Sequence, residues 1–90
     1  MAVVKFTQNL KRFYPELVPA EVSGTTVSEV LNEIESMHQG IKDYIVDESG
    51  VLRQHVNIFI GNELIKDRQS LSDQVNDQDE VYIMQALSGG

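Results

Sequence analysis

The sequence predicts an α+β fold, a small sheet with one amphipathic helix packed on one face. Three observations predict it. Apolar and polar residues alternate near both ends of the chain, one segment between them has helical apolar spacing, and short alternating segments follow that helix. With 90 residues the chain has room for one domain and one core.

Ala2, Val4 and Phe6 alternate with Val3, Lys5 and Thr7, the pattern of a half-buried first strand over residues 2–8. After a loop carrying Tyr14-Pro15 and Pro19, residues 20–23 are expected to pair back onto that strand before Gly24 turns the chain. In TVSEVLNEIESMHQG, Thr26 and Glu29 form a capping box and Gly40 supplies a stop. Val27, Val30, Leu31 and Ile34 make one stripe at helical spacing, with Met37 or His38 extending it.

Residues 41–54 are irregular, with Ile41, Tyr44, Ile45 and Leu52 as expected anchors around the Asp47-Glu48-Ser49-Gly50 turn. In HVNIFIGNEL, Val56, Ile58 and Ile60 face one way and Asn57 and Phe59 the other, with a Gly61-Asn62 turn before a short strand at Leu64-Ile65. The last strand sets Val81, Ile83 and Leu87 against Tyr82, Met84 and Ala86. No internal repeat, linker or second domain is read.

Composition narrows the function classes. Seven basic residues against fourteen acidic ones give a formal net charge of −7, which opposes binding to nucleic-acid phosphates and to anionic membrane surfaces. A partner protein with a basic face is favoured instead. There is no cysteine, which excludes disulfides, thiolate metal sites and side-chain thiol chemistry. The start MAVVKFTQNLKRF lacks a signal-peptide layout, and no segment approaches the roughly 18 apolar residues of a membrane span. A cytoplasmic monomer is expected. His38 and His55, seventeen positions apart, lack further ligands in a metal-binding pattern, and Asp77, Asp79 and Glu80 lack the spacing and glycine of a calcium loop, so no metal is expected.

The order of elements, the acidic turn Asp77-Gln78-Asp79-Glu80 before the final strand, and the closing Gly89-Gly90 together resemble the ubiquitin-like sulfur carriers of the ThiS/MoaD type. Those carriers serve thiamine, molybdopterin and, in some bacteria, cysteine synthesis. The resemblance spans nearly the whole chain, and the 41–54 excursion is most similar to that of the cysteine-synthesis carriers. Gln78-Asp79 stands where the family often has Gly-Asp, and Met84-Gln85-Ala86 where proline is frequent.

The resemblance implies a β-grasp fold, a mixed four- to five-stranded sheet gripping one main helix, with first and last strands adjacent and parallel. It divides the chain into a domain over residues 1–87 and a flexible tail over 88–90. It also implies that an adenylating enzyme uses ATP to activate the carboxylate of Gly90, which sulfur from a donor protein or sulfide converts to a thiocarboxylate for an acceptor synthase. Gly89 and Ser88 would thread the tail into the activating site, where glycine passes a narrow channel. The domain itself would bind no cofactor and supply no catalytic residue. Phe59, Tyr82 and Met84, opposite the core-facing residues and leading to Leu87, are the expected docking surface. Other readings are a ubiquitin-like modifier joined through Gly90 to lysines, a small subunit of a molybdopterin synthase, and a binding module with no terminal chemistry.

Overall fold

The computed structural model describes residues 1–7, 14 and 18–85. Five strands form one sheet: β1 (Ala2–Phe6), β2 (Ala20–Val22), β3 (Val56–Ile60), β4 (Glu63–Leu64) and β5 (Glu80–Gln85), in the order β2-β1-β5-β3-β4. β1 and β5 run parallel and the other neighbours antiparallel. The α+β class and the adjacent, parallel first and last strands are as expected.

Alternation decides which side of the sheet meets the helix. Ala2, Val4 and Phe6 of β1, Val56 and Ile58 of β3, and Val81 and Ile83 of β5 are all buried on one face. Helix α1 (Val27–Met37) lays Val27, Val30, Leu31 and Ile34 on that face. Each such side chain contributes roughly 1.5–3 kcal/mol by leaving water. Residues 41–54, expected to be irregular, contain a short helix, α2 (Lys42–Ile45). Ile41, Ile45 and Leu52 are buried and Tyr44 packs against the core, so the anchors are where the sequence placed them.

The amino end of α1 is closed by a distant loop. Val27 N–H donates to Asp73 O (3.1 Å), Ser28 N–H to Leu71 O (3.0 Å) and Val30 N–H to Thr26 O (3.0 Å). Glu29 N–H donates to Thr26 Oγ1 (3.2 Å), so all four leading amides are satisfied. The capping box differs from expectation in its second half: the Glu29 carboxylate accepts from Thr25 N–H (2.7 Å) and the Thr25 hydroxyl (2.8 Å). A β-bridge between Thr26 and Gln74 holds this stretch extended and presents Thr25 to the carboxylate. Gly24 sits just ahead of it, where a Cβ would lie 2.8 Å from Val30 N, so a side chain there would collide with the helix backbone.

The helix ends at Met37, with His38 as its cap, three residues before the expected stop at Gly40. Gly40 still turns the chain, at φ +92°, and its N–H and that of Lys42 donate to the Glu35 carboxylate (2.7 and 2.9 Å). The strand expected at Leu64-Ile65 is Glu63–Leu64, because the two-residue turn pairs Ile60 with Glu63 and Phe59 with Leu64. Ile65 then drops into the core and Leu64 faces outward, 52% exposed. Among the described residues no helix is long and apolar enough to cross a membrane.

The turn before β5 fastens both parallel strands. Gln78 N–H donates to Met1 O (3.1 Å), Val3 N–H to Asp79 O (2.9 Å), and Asn76 N–H to the Asp79 carboxylate (2.8 Å). Gln78 holds φ +72°, the left-handed region that glycine adopts freely and in which a Cβ costs about 1–2 kcal/mol. This is the position where the resembled family often has glycine. Gln78→Gly is therefore expected to stabilise the fold by about 0.5–1 kcal/mol after the greater chain entropy of glycine is subtracted, read as a higher midpoint in urea unfolding.

Two aspartates wire the loop from Lys66 to Asp73. Asp67 accepts from the Ser72 hydroxyl and from the N–H groups of Gln69, Ser70 and Ser72, while Asp73 accepts from Lys66 and Asp67 N–H. The Ser72 hydroxyl, followed by the Ser70 amide, lowers the Asp67 pKa from 3.8 to about 2. The Thr25 amide and hydroxyl lower that of Glu29, and the Gly40 and Lys42 amides lower that of Glu35. A depressed carboxylate contributes stability that is present above its unfolded pKa and lost as pH falls through its folded one. Denaturant titrations should thus show stability declining from about pH 4.5 toward about pH 2, with a shallower decline for Asp67→Asn.

Candidate functional site

The sheet face away from α1 carries the candidate site, and register assembles it. Lys5 lies opposite Tyr82, Tyr82 opposite Phe59, and Phe59 opposite Leu64, so one row crosses β1, β5, β3 and β4. Directly paired residues point to the same side of a sheet. The next pair toward the carboxyl end of β5 is Asn57 with Met84, and the row on the other side includes Val3 and Glu80.

Phe59 and Tyr82 are half-buried, and Met84 is 39% exposed. With Lys5, Gly61, Asn62 and Glu80 they line a shallow groove of about 450 Å³. The structure thus brings together Phe59, Tyr82 and Met84, three of the expected docking residues. Leu87, Ser88, Gly89 and Gly90, and the division at 87/88, lie outside the described residues. Leu64 was missed because its partner Ile65 made the pair read as one apolar strand. The two-residue spacer at Gly61-Asn62 was the available signal, since it fixes the register that turns Leu64 outward.

Glu21, opposite Val3, and Glu80 put negative charge at one end of this face, while Glu63, opposite Ile60, lies on the other face. Lys5 Nζ lies 3.4 Å from Glu80 Oε1 in an exposed pair of little energetic weight. Asp67 and Asp73 turn their carboxylates onto loop amides. His38 packs edge-on to Tyr14, and His55 Nε2 lies 3.4 Å from the Gln85 amide nitrogen. Among the described residues no group of three or more His, Asp or Glu is placed to hold a metal ion.

The carboxyl end of β5 is held on both sides. Gln85 N–H donates to Thr7 Oγ1 (3.2 Å), Thr7 N–H donates to Ile83 O (3.2 Å), and Gln85 stands opposite Val56 of β3. The arrangement has the form of an apolar platform beside the held end of β5, and among the described residues it contains no constellation of reacting side chains.

Such a platform on a five-stranded β-grasp sheet defines a ubiquitin-like carrier domain, and comparison with known proteins specifies the class. Residues 4–90 match the model of the ThiS family, and the chain belongs to that family. It is similar to the sulfur carrier protein CysO of Mycobacterium tuberculosis, at 33% identity over 70 residues, 76% of this chain and 75% of that protein. Among solved structures, the BexX/CysO complex of Amycolatopsis orientalis aligns with a TM-score of 0.85 and 29% identity over 100% of each chain. The CysO crystal structure from Mycobacterium tuberculosis gives 0.83 and 26%, covering 97% of this chain and 100% of that one. Small archaeal modifier protein 1 from Methanosarcina acetivorans gives 0.80 and 25%, covering 99% and 95%.

Proposed function

We propose that this sulfur carrier protein of the ThiS and CysO type works through the carboxylate of Gly90. The observation that carries the reading is that the family match runs through residue 90 and so takes in Gly89-Gly90. A partner enzyme would supply ATP, and the Gly90 carboxylate oxygen would attack its α-phosphorus with loss of pyrophosphate. Hydrosulfide, delivered free or from a donor protein, would then add to the acyl carbon and expel AMP, leaving a thiocarboxylate. An acceptor synthase in cysteine or cofactor biosynthesis would take the sulfur. Apart from the Gly90 carboxylate, the carrier supplies no reacting group of its own, which suits a chain without cysteine.

Glycine at 89 and 90 lets the backbone enter a narrow activating site. Phe59, Leu64, Tyr82 and Met84 would dock on the activating enzyme, with Leu87 continuing the contact and the acidic rim favouring a basic border on the partner. The domain acts in the cytoplasm, as a monomer between encounters.

The test is the intact mass of the chain after incubation with ATP, sulfide and a ubiquitin-activating-type enzyme from the same host. Replacement of one oxygen by sulfur, mapped to the terminal peptide and absent when Gly90 is deleted, is the expected result. Isopeptide adducts on lysines without sulfur gain would favour the modifier reading, to which the archaeal modifier's similarity gives some weight. A second expectation concerns docking: Phe59→Ala and Met84→Ala should each weaken binding to that enzyme by about 1–3 kcal/mol in calorimetry while circular dichroism shows the fold unchanged.

A further inference from the structure

Beyond the short β4, the outer edge of β3 is closed by one side chain. Ile58 O accepts from Ile65 N–H (3.0 Å), so the carbonyls of Val56, Ile58 and Ile60 face the β4 side. β4 pairs with Phe59 and Ile60, leaving Val56 without a strand partner there. The Arg68 guanidinium takes that place: Nη2 donates to Val56 O (2.9 Å) and Arg53 O (2.7 Å), and Nη1 to Asn57 Oδ1 (3.0 Å). The same residue's carbonyl accepts from Leu52 N–H (2.8 Å).

Two features set Arg68 apart from an ordinary surface arginine. In a chain with net charge −7, it has no carboxylate within ion-pair distance among the described residues, and its three side-chain hydrogen bonds go to neutral acceptors. Those acceptors converge on one short stretch, residues 53–57, which supports the carboxyl end of β5 through the Val56–Gln85 and Asn57–Met84 pairs. The planar fork suits several acceptors at once, whereas a lysine ammonium acts as a point donor.

We infer that Arg68 is a positioning residue for the chemistry at Gly90: it pins the start of β3, and through it the end of β5 from which the tail departs. The inference rests on the reading of Gly90 as the reacting group. Thr7 holds the β1 side of that end, and Arg68 acts on the β3 side through residues 53–57. Loosening Met84 and Gln85 would spread the orientations in which Gly90 is presented to the partner. Productive delivery would then become rarer, although Phe59 and Leu64 still dock.

The experiment compares the wild type, Arg68→Ala, Arg68→Lys and Val22→Ala, the last a core truncation in β2 at the opposite end of the sheet. All are assayed by intact mass for sulfur gain across carrier concentrations, at a temperature where circular dichroism shows each folded. Arg68→Ala is expected to lower kcat by roughly tenfold or more with KM changed less than about twofold, Arg68→Lys to recover part of the loss, and Val22→Ala to leave both constants near wild type. Wild-type kcat in Arg68→Ala, or an equal loss in Val22→Ala, would overturn the inference.

Amide hydrogen exchange supplies a readout independent of sulfur. Arg68→Ala should speed exchange selectively at Asn57 and Met84, and Val22→Ala should not. If the wild type gains no sulfur, the reading of Gly90 falls. Exchange then decides whether Arg68 pins the strand end, and unchanged protection at both amides would refute it.

Discussion

The parallel pairing of β1 with β5 is the constraint on which the rest of this structure depends. It joins segments about as far apart as the chain allows, so no local turn can create it, and its loop-closure entropy must be met by contacts made elsewhere. It is fastened at one end by the turn at Gln78 and Asp79, which bonds to Met1 and Val3, and at the other by Thr7. Because β5 lies between β1 and β3, its buried side chains are covered by α1 while its outward ones form the centre of the apolar face.

The carboxylates follow from this economy of a small domain. A 90-residue chain has many connections for its size, and their amides need acceptors. Glu29, Glu35, Asp67 and Asp73 supply them at successive turns, and an ionised carboxylate accepts more strongly than a neutral group. Part of the negative charge is thus structural. Glu21 and Glu80 are left at the border of the exposed face, where they bear on which partner surface can approach.

A small domain that docks on partners needs apolar residues for its core and others for its surface. Strand alternation separates the two sets: Ile58, Val81 and Ile83 belong to the core, while Phe59, Tyr82 and Met84, one residue away, remain outside it. Met84 suits such a face, since a flexible thioether adapts to more than one contour. The groove between Lys5 and Gly61 is shallow, as expected of a docking surface in a domain too small to enclose a pocket beside its core.

The sequence by itself determined the periodicities: alternation in β1, β3 and β5, the helical stripe of α1, and therefore which residues are buried and that Phe59, Tyr82 and Met84 are not. Those are local properties, set by backbone geometry that repeats every two or 3.6 residues. It also determined the chemistry available, since a chain without cysteine that carries Gly89-Gly90 has few groups to offer. Tertiary structure alone decided the pairings. Whether Glu29 bonds to Thr25 or Thr26 depended on a bridge to Gln74, and Leu64 joined the exposed face because β4 aligned it with Phe59. Arg68 lay in a polar stretch with no periodic signal, and its role exists because folding sets Val56 O, Arg53 O and Asn57 Oδ1 around one guanidinium. Hydrogen bonds between residues distant in sequence leave no repeating trace in it, so they are decided only when the strands meet.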